Sequence, residues 1–130
     1  MTESKKPTIL VVDDEPAIRE SIKQFLIDLD YDVQTAETGE VALDLVRQQA
    51  FDIAIVDMRL PEMSGDMFIL KAHEIQKETQ YLVLTGSVDY VINPELVRIG
   101  INSDQILQKP LVSLFKLAQS IETLLWNKNQ

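Results

Sequence analysis

Five polar side chains stand directly after short apolar runs of the sequence, where they could act together on phosphate or a divalent cation. They are Asp13, Asp14, Asp57, Thr85 and Lys109. An aspartate can attack phosphorus to form an aspartyl phosphate, and catalysis of that step rests on positioning and on stabilising the charge of the transferred oxygens. An ammonium group and a bound cation both supply that stabilisation, and a threonine hydroxyl can hydrogen-bond a phosphate oxygen. This set of residue types therefore indicates phosphoryl transfer to a carboxylate.

A cation is expected beside these carboxylates because aspartates packed together repel one another unless a positive charge relieves them. Mg²⁺ fits best, since it prefers one or two carboxylates together with waters and phosphate oxygens. The chain has no cysteine and a single histidine, His73, which lies on a predicted helix away from these aspartates. Zinc and copper sites are therefore excluded, and we interpret His73 as a surface or half-buried helix residue.

Each of the five residues also has a purely structural explanation. Asp13 or Asp14 could cap a helix. Thr85 could turn the chain, and Asp57 and Lys109 could be ordinary surface residues. Their joint placement after successive predicted strands favours one functional site over five separate explanations.

The elements that must position these residues alternate regularly along the chain. Strands are predicted at 8–12, 32–35, 51–56, 81–84 and 106–107, and helices at 16–29, 41–46, 65–78, 94–98 and 114–125. Such alternation calls for parallel strands joined by right-handed crossovers, with helices on both faces of the sheet. Ligands bind at the carboxyl ends of the strands in sheets of this kind. We therefore expect the five side chains to meet at one edge of the molecule.

Composition indicates one compact domain without an affinity for polyanions. The chain has 130 residues, 45% of them hydrophobic, and a formal net charge of −9. That charge argues against direct binding of nucleic acid or anionic lipid, which both depend on clustered Lys and Arg. No signal peptide and no apolar run of about 18 residues is found, so a cytoplasmic location is the expectation. We predict a disordered tail at 1–7, one domain at 8–127 and a short tail at 128–130.

Four segments of the chain closely resemble the receiver domain of two-component response regulators. They are ILVVDDEP at 9–16, IVDMRLPEMSG at 55–65, VLTGS at 83–87 and QKP at 108–110. The resemblance extends from Thr8 to the last helix, and the segments occur in the family's order. It implies an α/β fold of the flavodoxin-like, doubly wound type, with a five-stranded parallel sheet of order 2-1-3-4-5 and five helices.

The resemblance also implies a role for each residue of the site. Asp57 would be the phosphoacceptor, with a histidine kinase or a phosphotransfer protein as the phosphodonor. Asp14 and Asp57 would bind Mg²⁺ directly, together with the backbone carbonyl of Arg59, and Asp13 would act through water. The domain would then be a phosphorylation-dependent signalling switch. It would not be an enzyme, although it would aid its own phosphorylation and dephosphorylation.

Two further roles follow from the resemblance at the strand ends. Thr85 and Lys109 would contact the phosphoryl group, and the peptide bond between Lys109 and Pro110 is a candidate cis bond. The family's dephosphorylation rate depends on the positions held here by Arg59 and Ser87. A long Arg59 could shield or pair with the phosphate, so we predict a persistent phosphorylated state.

The chain departs from the family pattern in two places. The switch position three residues before the lysine commonly holds Tyr or Phe, but here it is Ile106. Between Thr85 and Lys109, Asn93 and Pro94 interrupt the expected fourth helix, and about two extra residues lie between Gly100 and Lys109. We therefore expect that helix to be short, late or mobile, with Pro94 able to open a short helix through Arg98.

Two other functional classes remain open. Phosphatases of the haloacid dehalogenase type also form an aspartyl phosphate. Their motif, however, has two aspartates separated by one residue, and a separate cap is inserted in the chain. Here Asp13 and Asp14 are adjacent and the chain has no room for a cap. A receiver-like interaction module that carries no phosphate usually loses residues of the acidic pocket or the lysine, and all of them are present here.

The family resemblance also suggests a surface for assembly. In receivers the face formed by the fourth helix, the fifth strand and the fifth helix often dimerises or docks a partner. Residues of that region are Val91, Leu111, Phe115 and Trp126. A homodimer through this face is one interpretation, and the alternative is that these are mostly core residues.

Overall fold

The computed structural model describes residues 6–109 and 114–128, so the predictions that concern residues 1–5, Pro110, Leu111 and residues 129–130 lie outside the described residues. The strands are β1 (Thr8–Val12), β2 (Asp32–Ala36), β3 (Ile53–Asp57), β4 (Gln80–Thr85) and β5 (Ile106–Gln108). The helices are α1 (Pro16–Asp28), α2 (Gly39–Gln48), α3 (Gly65–Ile75), α4 (Pro94–Arg98) and α5 (Leu114–Lys128).

The five strands form one parallel sheet in the order β2-β1-β3-β4-β5. The predicted flavodoxin-like topology is therefore confirmed. Val12 lies opposite Val56 in the register, and Thr85 lies opposite Gln108. Because the strands end at nearly the same level, the residues that follow them meet at one edge of the sheet.

The core has two layers, one on each face of the sheet. Successive residues of β1 point to opposite faces, so Leu10 packs with Phe68 of α3 while Ile9 packs with Ile22 of α1. All four are fully or almost fully buried. Burial on both faces explains why β1 reads as a continuous apolar run rather than an alternating one. In the edge strand β2, exposed and partly buried residues alternate from Asp32 to Thr35, as in the sequence, and Ala36 at its end is buried.

Helix α3 ends at Ile75, so the prediction that it extends to Glu78 is wrong. The cause is Gln76, whose side-chain amide turns inward to cap α2. Its Nε2 donates to the carbonyls of Val46 at 2.6 Å and Gln49 at 2.5 Å, and its Oε1 accepts from the Phe51 amide at 3.0 Å. These contacts satisfy carbonyls that the end of α2 leaves unpaired, and their partners are too distant in sequence for a helical pattern to reveal.

The short fourth helix is confirmed at Pro94–Arg98, with Asn93 as its N-cap through a 2.9 Å hydrogen bond from the Glu95 amide. Gly100 follows with a φ of 102°, a conformation that favours glycine. The extra residues before β5 form a 3-10 turn at Ser103–Gln105.

Candidate functional site

Two buried carboxylates lie at the carboxyl ends of adjacent strands. Asp13 follows β1 and is 0% exposed, while Asp57 ends β3 and is 4% exposed. One oxygen of each is held by a backbone amide two residues on: Asp13 Oδ1 accepts from Glu15 at 2.9 Å, and Asp57 Oδ1 accepts from Arg59 at 3.1 Å. These turns fix both carboxylates and leave the Oδ2 atoms directed to other partners.

The ammonium of Lys109 supplies the positive charge between these carboxylates. Its Nζ lies 3.1 Å from Asp13 Oδ2, 3.1 Å from Asp57 Oδ2 and 2.9 Å from Glu15 Oε1. The backbone amide of Lys109 donates to the Thr85 carbonyl at 2.8 Å, which positions the lysine beside the end of β4. Burial would lower the pKa of Lys109, but its contacts with the carboxylates of Glu15, Asp13 and Asp57 raise that pKa above its ordinary value. The lysine therefore remains a cation.

Asp13 is the most constrained acid of the site. Burial raises its pKa, and the amide of Glu15 and the ammonium of Lys109 offset this only in part, so the pKa lies above the ordinary value. Its contact with Lys109 through Oδ2 is an ion pair rather than a well-aligned hydrogen bond. A buried carboxylate with an incompletely satisfied oxygen can accept further positive charge.

The donor set fits a hard divalent cation. Each of Asp13, Asp14, Glu15 and Asp57 offers an oxygen, and these oxygens lie within 4.8 Å of one another. All four ligands are carboxylates, two buried and two exposed, which suits Mg²⁺ better than a softer metal. Sequence reasoning missed Glu15, although its position directly after Asp13 and Asp14 was a usable signal.

Thr85 ends β4 directly before Gly86 and Ser87, which line the cleft, and it is 4% exposed. Its Oγ1 accepts a hydrogen bond of 3.1 Å from the Ser87 amide. The exposed Arg59 and Ser87 line the mouth of the cleft, with Asp14 and Gly86 beside them. The five residues predicted from the sequence thus lie together, and the two predicted to tune dephosphorylation flank them.

Close packing behind Asp57 depends on Gly65, the first residue of α3. A Cβ added there would lie 2.5 Å from the Asp57 carbonyl oxygen and 2.5 Å from Cε of Met58. The Gly65 amide donates to the Met58 carbonyl at 3.0 Å. Only glycine lets the start of α3 approach the end of β3 this closely.

Two residues outside the cleft also bear on the sequence predictions. Ile106 is half buried and packs against the core on the α2 and α3 face, so no ring occupies the usual switch position. His73 lies in the last turn of α3, away from the site, as expected. Sequence reasoning missed Tyr90, whose hydroxyl donates to Asp66 Oδ1 at 3.3 Å.

The surface suggested for assembly is exposed where the structure describes it. Val91 is 84% exposed, and Phe115 and Trp126 are each 67% exposed. The alternative that these three are core residues is therefore wrong. Leu111 lies outside the described residues.

Comparison with known proteins decides the family, because a sequence profile of the response regulator receiver domain matches residues 9–122. The chain belongs to this family. The receiver domain is 31% identical to the response regulator GtcR of Aneurinibacillus migulanus over 112 residues, which cover 86% of this chain and 45% of GtcR. It is 29% identical to the cell cycle response regulator CtrA of Brucella ovis over 102 residues, which cover 78% of this chain and 43% of CtrA.

Solved structures agree with the fold of the receiver domain. A CheY-like receiver domain protein from Methanospirillum hungatei JF-1 superposes with a TM-score of 0.84 at 29% identity, covering 96% of this chain and 98% of that one. Chemotaxis protein CheY4 of Vibrio cholerae gives a TM-score of 0.78 at 28% identity, covering 92% and 99%. The receiver domain spans less than half the length of GtcR and CtrA. Among its described helices, none is long and apolar enough to cross a membrane.

Proposed function

We propose that this receiver domain is a phosphorylation-dependent switch in which Asp57 accepts a phosphoryl group from a histidine kinase or a phosphotransfer protein. The observation that carries the proposal is the pairing of Asp57 with Lys109 at 3.1 Å inside a cleft lined by further carboxylates. Receiver domains belong to two-component signalling systems, and the phosphodonor and the output are part of the proposal. We do not propose that the domain turns over separate substrates.

The transfer step needs few groups from the protein. One carboxylate oxygen of Asp57 forms a bond to the phosphorus of a phosphohistidine, and the bond from phosphorus to the imidazole nitrogen breaks with its electron pair staying on nitrogen. The Arg59 amide on Oδ1 holds the nucleophile in place. Lys109 faces the oxygens that gain charge, because its Nζ already contacts Asp57 Oδ2.

The acidic cluster would hold Mg²⁺, which neutralises charge on the transferred phosphoryl oxygens when bound. Asp14 and Asp57 would be direct ligands together with the backbone carbonyl of Arg59, and Asp13 would act through water. Glu15 belongs to the same cluster of oxygens. Glu15 accepts a hydrogen bond from Lys109. The site therefore has one carboxylate more than the ligand set predicted from the sequence.

Thr85 would convert the new charge into movement. An aspartyl phosphate adds a charge of about −1.5 to −2 close to Asp57. The Thr85 hydroxyl accepts from the Ser87 amide, so its own proton is available to donate to a phosphate oxygen. Drawing Thr85 toward the phosphate would disturb its contact with Ser87 and so the loop that follows β4. Ile106 offers no ring to follow that movement.

The exposed face around α4 and α5 is a second element of the proposal. Val91, Phe115 and Trp126 supply apolar surface there, and a homodimer or a partner would bury it. Sedimentation velocity with and without beryllofluoride tests the dimer: a mass that doubles on activation supports it, and a monomer in both states rules it out.

Incubation with acetyl phosphate, followed by intact mass measurement, tests the switch chemistry. We expect a phosphoryl adduct that requires Mg²⁺ and is absent in Asp57→Asn. Asp52→Asn is the matched control, since Asp52 is a partly buried aspartate at the opposite edge of the sheet. An adduct that persists in Asp57→Asn would contradict the proposal. No adduct from acetyl phosphate or from a panel of phosphorylated histidine kinases would favour an interaction module that carries no phosphate.

A further inference from the structure

The loop between β4 and α4 is tied to α3 through one carboxylate. Tyr90 donates its hydroxyl hydrogen to Asp66 Oδ1 at 3.3 Å, and Asn93 Nδ2 donates to Asp66 Oδ2 at 3.4 Å. Asn93 is also the N-cap of α4 through its Oδ1. Asp66 in the first turn of α3 therefore joins the middle of the loop to the start of α4.

The same loop is tied to the phosphorylation cleft at its other end. Thr85 Oγ1 accepts from the Ser87 amide at 3.1 Å, and the Ser87 carbonyl accepts from the Tyr90 amide at 3.4 Å. The Ser87 carbonyl also accepts from Gln108 Nε2 of β5 at 3.0 Å. A short series of hydrogen bonds thus runs from Thr85 through Ser87 to Tyr90.

The Tyr90 hydroxyl also reaches the backbone segment of the phosphoacceptor. It lies 3.5 Å from Sδ of Met58, the residue directly after Asp57. Burial and the Asp66 carboxylate raise the pKa of Tyr90 to about 12, so the hydroxyl keeps its proton at neutral pH and remains a donor. The tyrosine that contacts the residue after Asp57 thus comes from the loop after β4, whereas β5 carries Ile106 at the position where receivers commonly place a ring.

We propose that Tyr90 is a positioning residue that couples the state of the Asp57 cleft to the start of α4 through its hydrogen bond to Asp66. The inference rests on the proposed function, because it needs Thr85 to move when Asp57 is phosphorylated. Movement of Thr85 away from Ser87 loosens the turn that presents Tyr90, and the bond to Asp66 then opens. The bond belongs to the unphosphorylated state and opposes activation.

Loss of the bond should therefore favour the activated state. Removing a contact made in only one of two states shifts the equilibrium toward the other. A hydrogen bond of ordinary net strength corresponds to a shift of about fivefold. Tyr90→Phe keeps the ring and removes only the hydroxyl. We expect Tyr90→Phe to bind beryllofluoride with Mg²⁺ about fivefold more tightly than the wild type.

The matched control is Tyr31→Phe, which removes the same atom from a half-buried tyrosine that packs with the core on the α1 and α5 face. Its affinity for beryllofluoride should equal that of the wild type. Asp66→Asn and the double variant complete a double-mutant cycle. Adding Asp66→Asn to Tyr90→Phe should raise the affinity for beryllofluoride by less than Asp66→Asn raises it in the wild type, because both changes act on the same hydrogen bond. Amide spectra without beryllofluoride should show changes at 87–93 in Tyr90→Phe, with the rest of the fold retained.

The outcomes separate this inference from the proposed function. A wild type that does not bind beryllofluoride overturns the proposed function, and the coupling with it. A wild type that binds, with Tyr90→Phe equal to it, overturns the coupling alone. Weaker binding by Tyr90→Phe also overturns it, because the bond would then belong to the activated state.

Discussion

Lys109 Nζ lies 3.1 Å from Oδ2 of Asp57, and the same ammonium lies 3.1 Å from Oδ2 of the fully buried Asp13. One cation thus compensates two carboxylates that water hardly reaches. A phosphoryl group on Asp57 would arrive beside a positive charge that is already in position. A divalent cation would reduce the demand on Lys109, because it would take over part of the charge compensation.

Replacement of Lys109 by methionine should destabilise the protein most when Mg²⁺ is absent. Removing one partner of a buried ion pair leaves uncompensated charge, and we expect a loss of about 3–5 kcal/mol in the free energy of unfolding. Saturating Mg²⁺ should restore part of that loss. Urea denaturation with and without Mg²⁺ measures both effects. Replacement of the exposed Lys71 by methionine is the control. Equal losses in the free energy of unfolding of both variants would show that the charge of Lys109 does not stabilise the site.

Substitution of Gly65 by alanine should disturb the back of the site. The new Cβ would meet the Asp57 carbonyl oxygen at 2.5 Å, so backbone must shift. Overpacking of this kind costs about 1–3 kcal/mol, measurable by thermal or urea unfolding. Gly86→Ala is the matched control, because a Cβ there has no atom within 4 Å and should change stability little. A Gly65→Ala variant as stable as Gly86→Ala would refute the close approach.

The phosphorylated form should persist well beyond seconds. Arg59 is exposed at the mouth of the cleft, where its side chain can shield or pair with the phosphate. We expect Arg59→Ala to shorten the half-life of the phosphorylated protein several-fold, as followed by intact mass after removal of the phosphodonor. Arg47→Ala, a surface change on α2, should leave it unaltered. A half-life of only seconds for the phosphorylated wild type would contradict the prediction that Arg59 protects the phosphate.

Asp52 should make stability depend on pH at the opposite edge of the sheet. Burial raises the pKa of Asp52, but the Thr8 amide at 2.8 Å and the Lys128 ammonium at 3.1 Å lower it by more, so the pKa lies below its ordinary value. A depressed pKa in the folded state gives stability that is present at neutral pH and is lost as pH falls through the folded-state pKa.

Asp52→Asn should therefore be less stable than the wild type at pH 7, by about 1 kcal/mol. The difference should shrink as the pH is lowered below the ordinary pKa of an aspartate. Urea denaturation over a pH series checks this, with the exposed Asp44→Asn as the control. A difference that stays constant with pH would mean that the charge of Asp52 does not contribute.

The parallel sheet and the shared edge of the five site residues were predictable because both depend on short-range patterns, whereas the strand order was implied by the family resemblance. Buried parallel strands read as apolar runs, and the residues that end them must share one edge. Thr85 and Asp57 could be placed in this way without any knowledge of side-chain contacts. The family motifs added the roles.

Features built from side chains distant in sequence were not predictable. Gln76 ends α3 by capping carbonyls up to 30 residues away, and Tyr90 meets Asp66 across 24 residues. Nothing in the local pattern of either residue indicates its partner. Glu15 differs, since the three consecutive acids were visible and only its contact with Lys109 was not.

The central claim is that the phosphoryl group resides on Asp57, and chemical trapping tests it most directly. Borohydride reduces an acyl phosphate to an alcohol and so converts a phosphorylated aspartate to homoserine. After phosphorylation with acetyl phosphate and Mg²⁺, reduction and peptide mapping by mass spectrometry, we predict homoserine at position 57 alone. Homoserine at Asp13 or Asp14 with Asp57 unmodified would contradict the account, and so would phosphate found on His73.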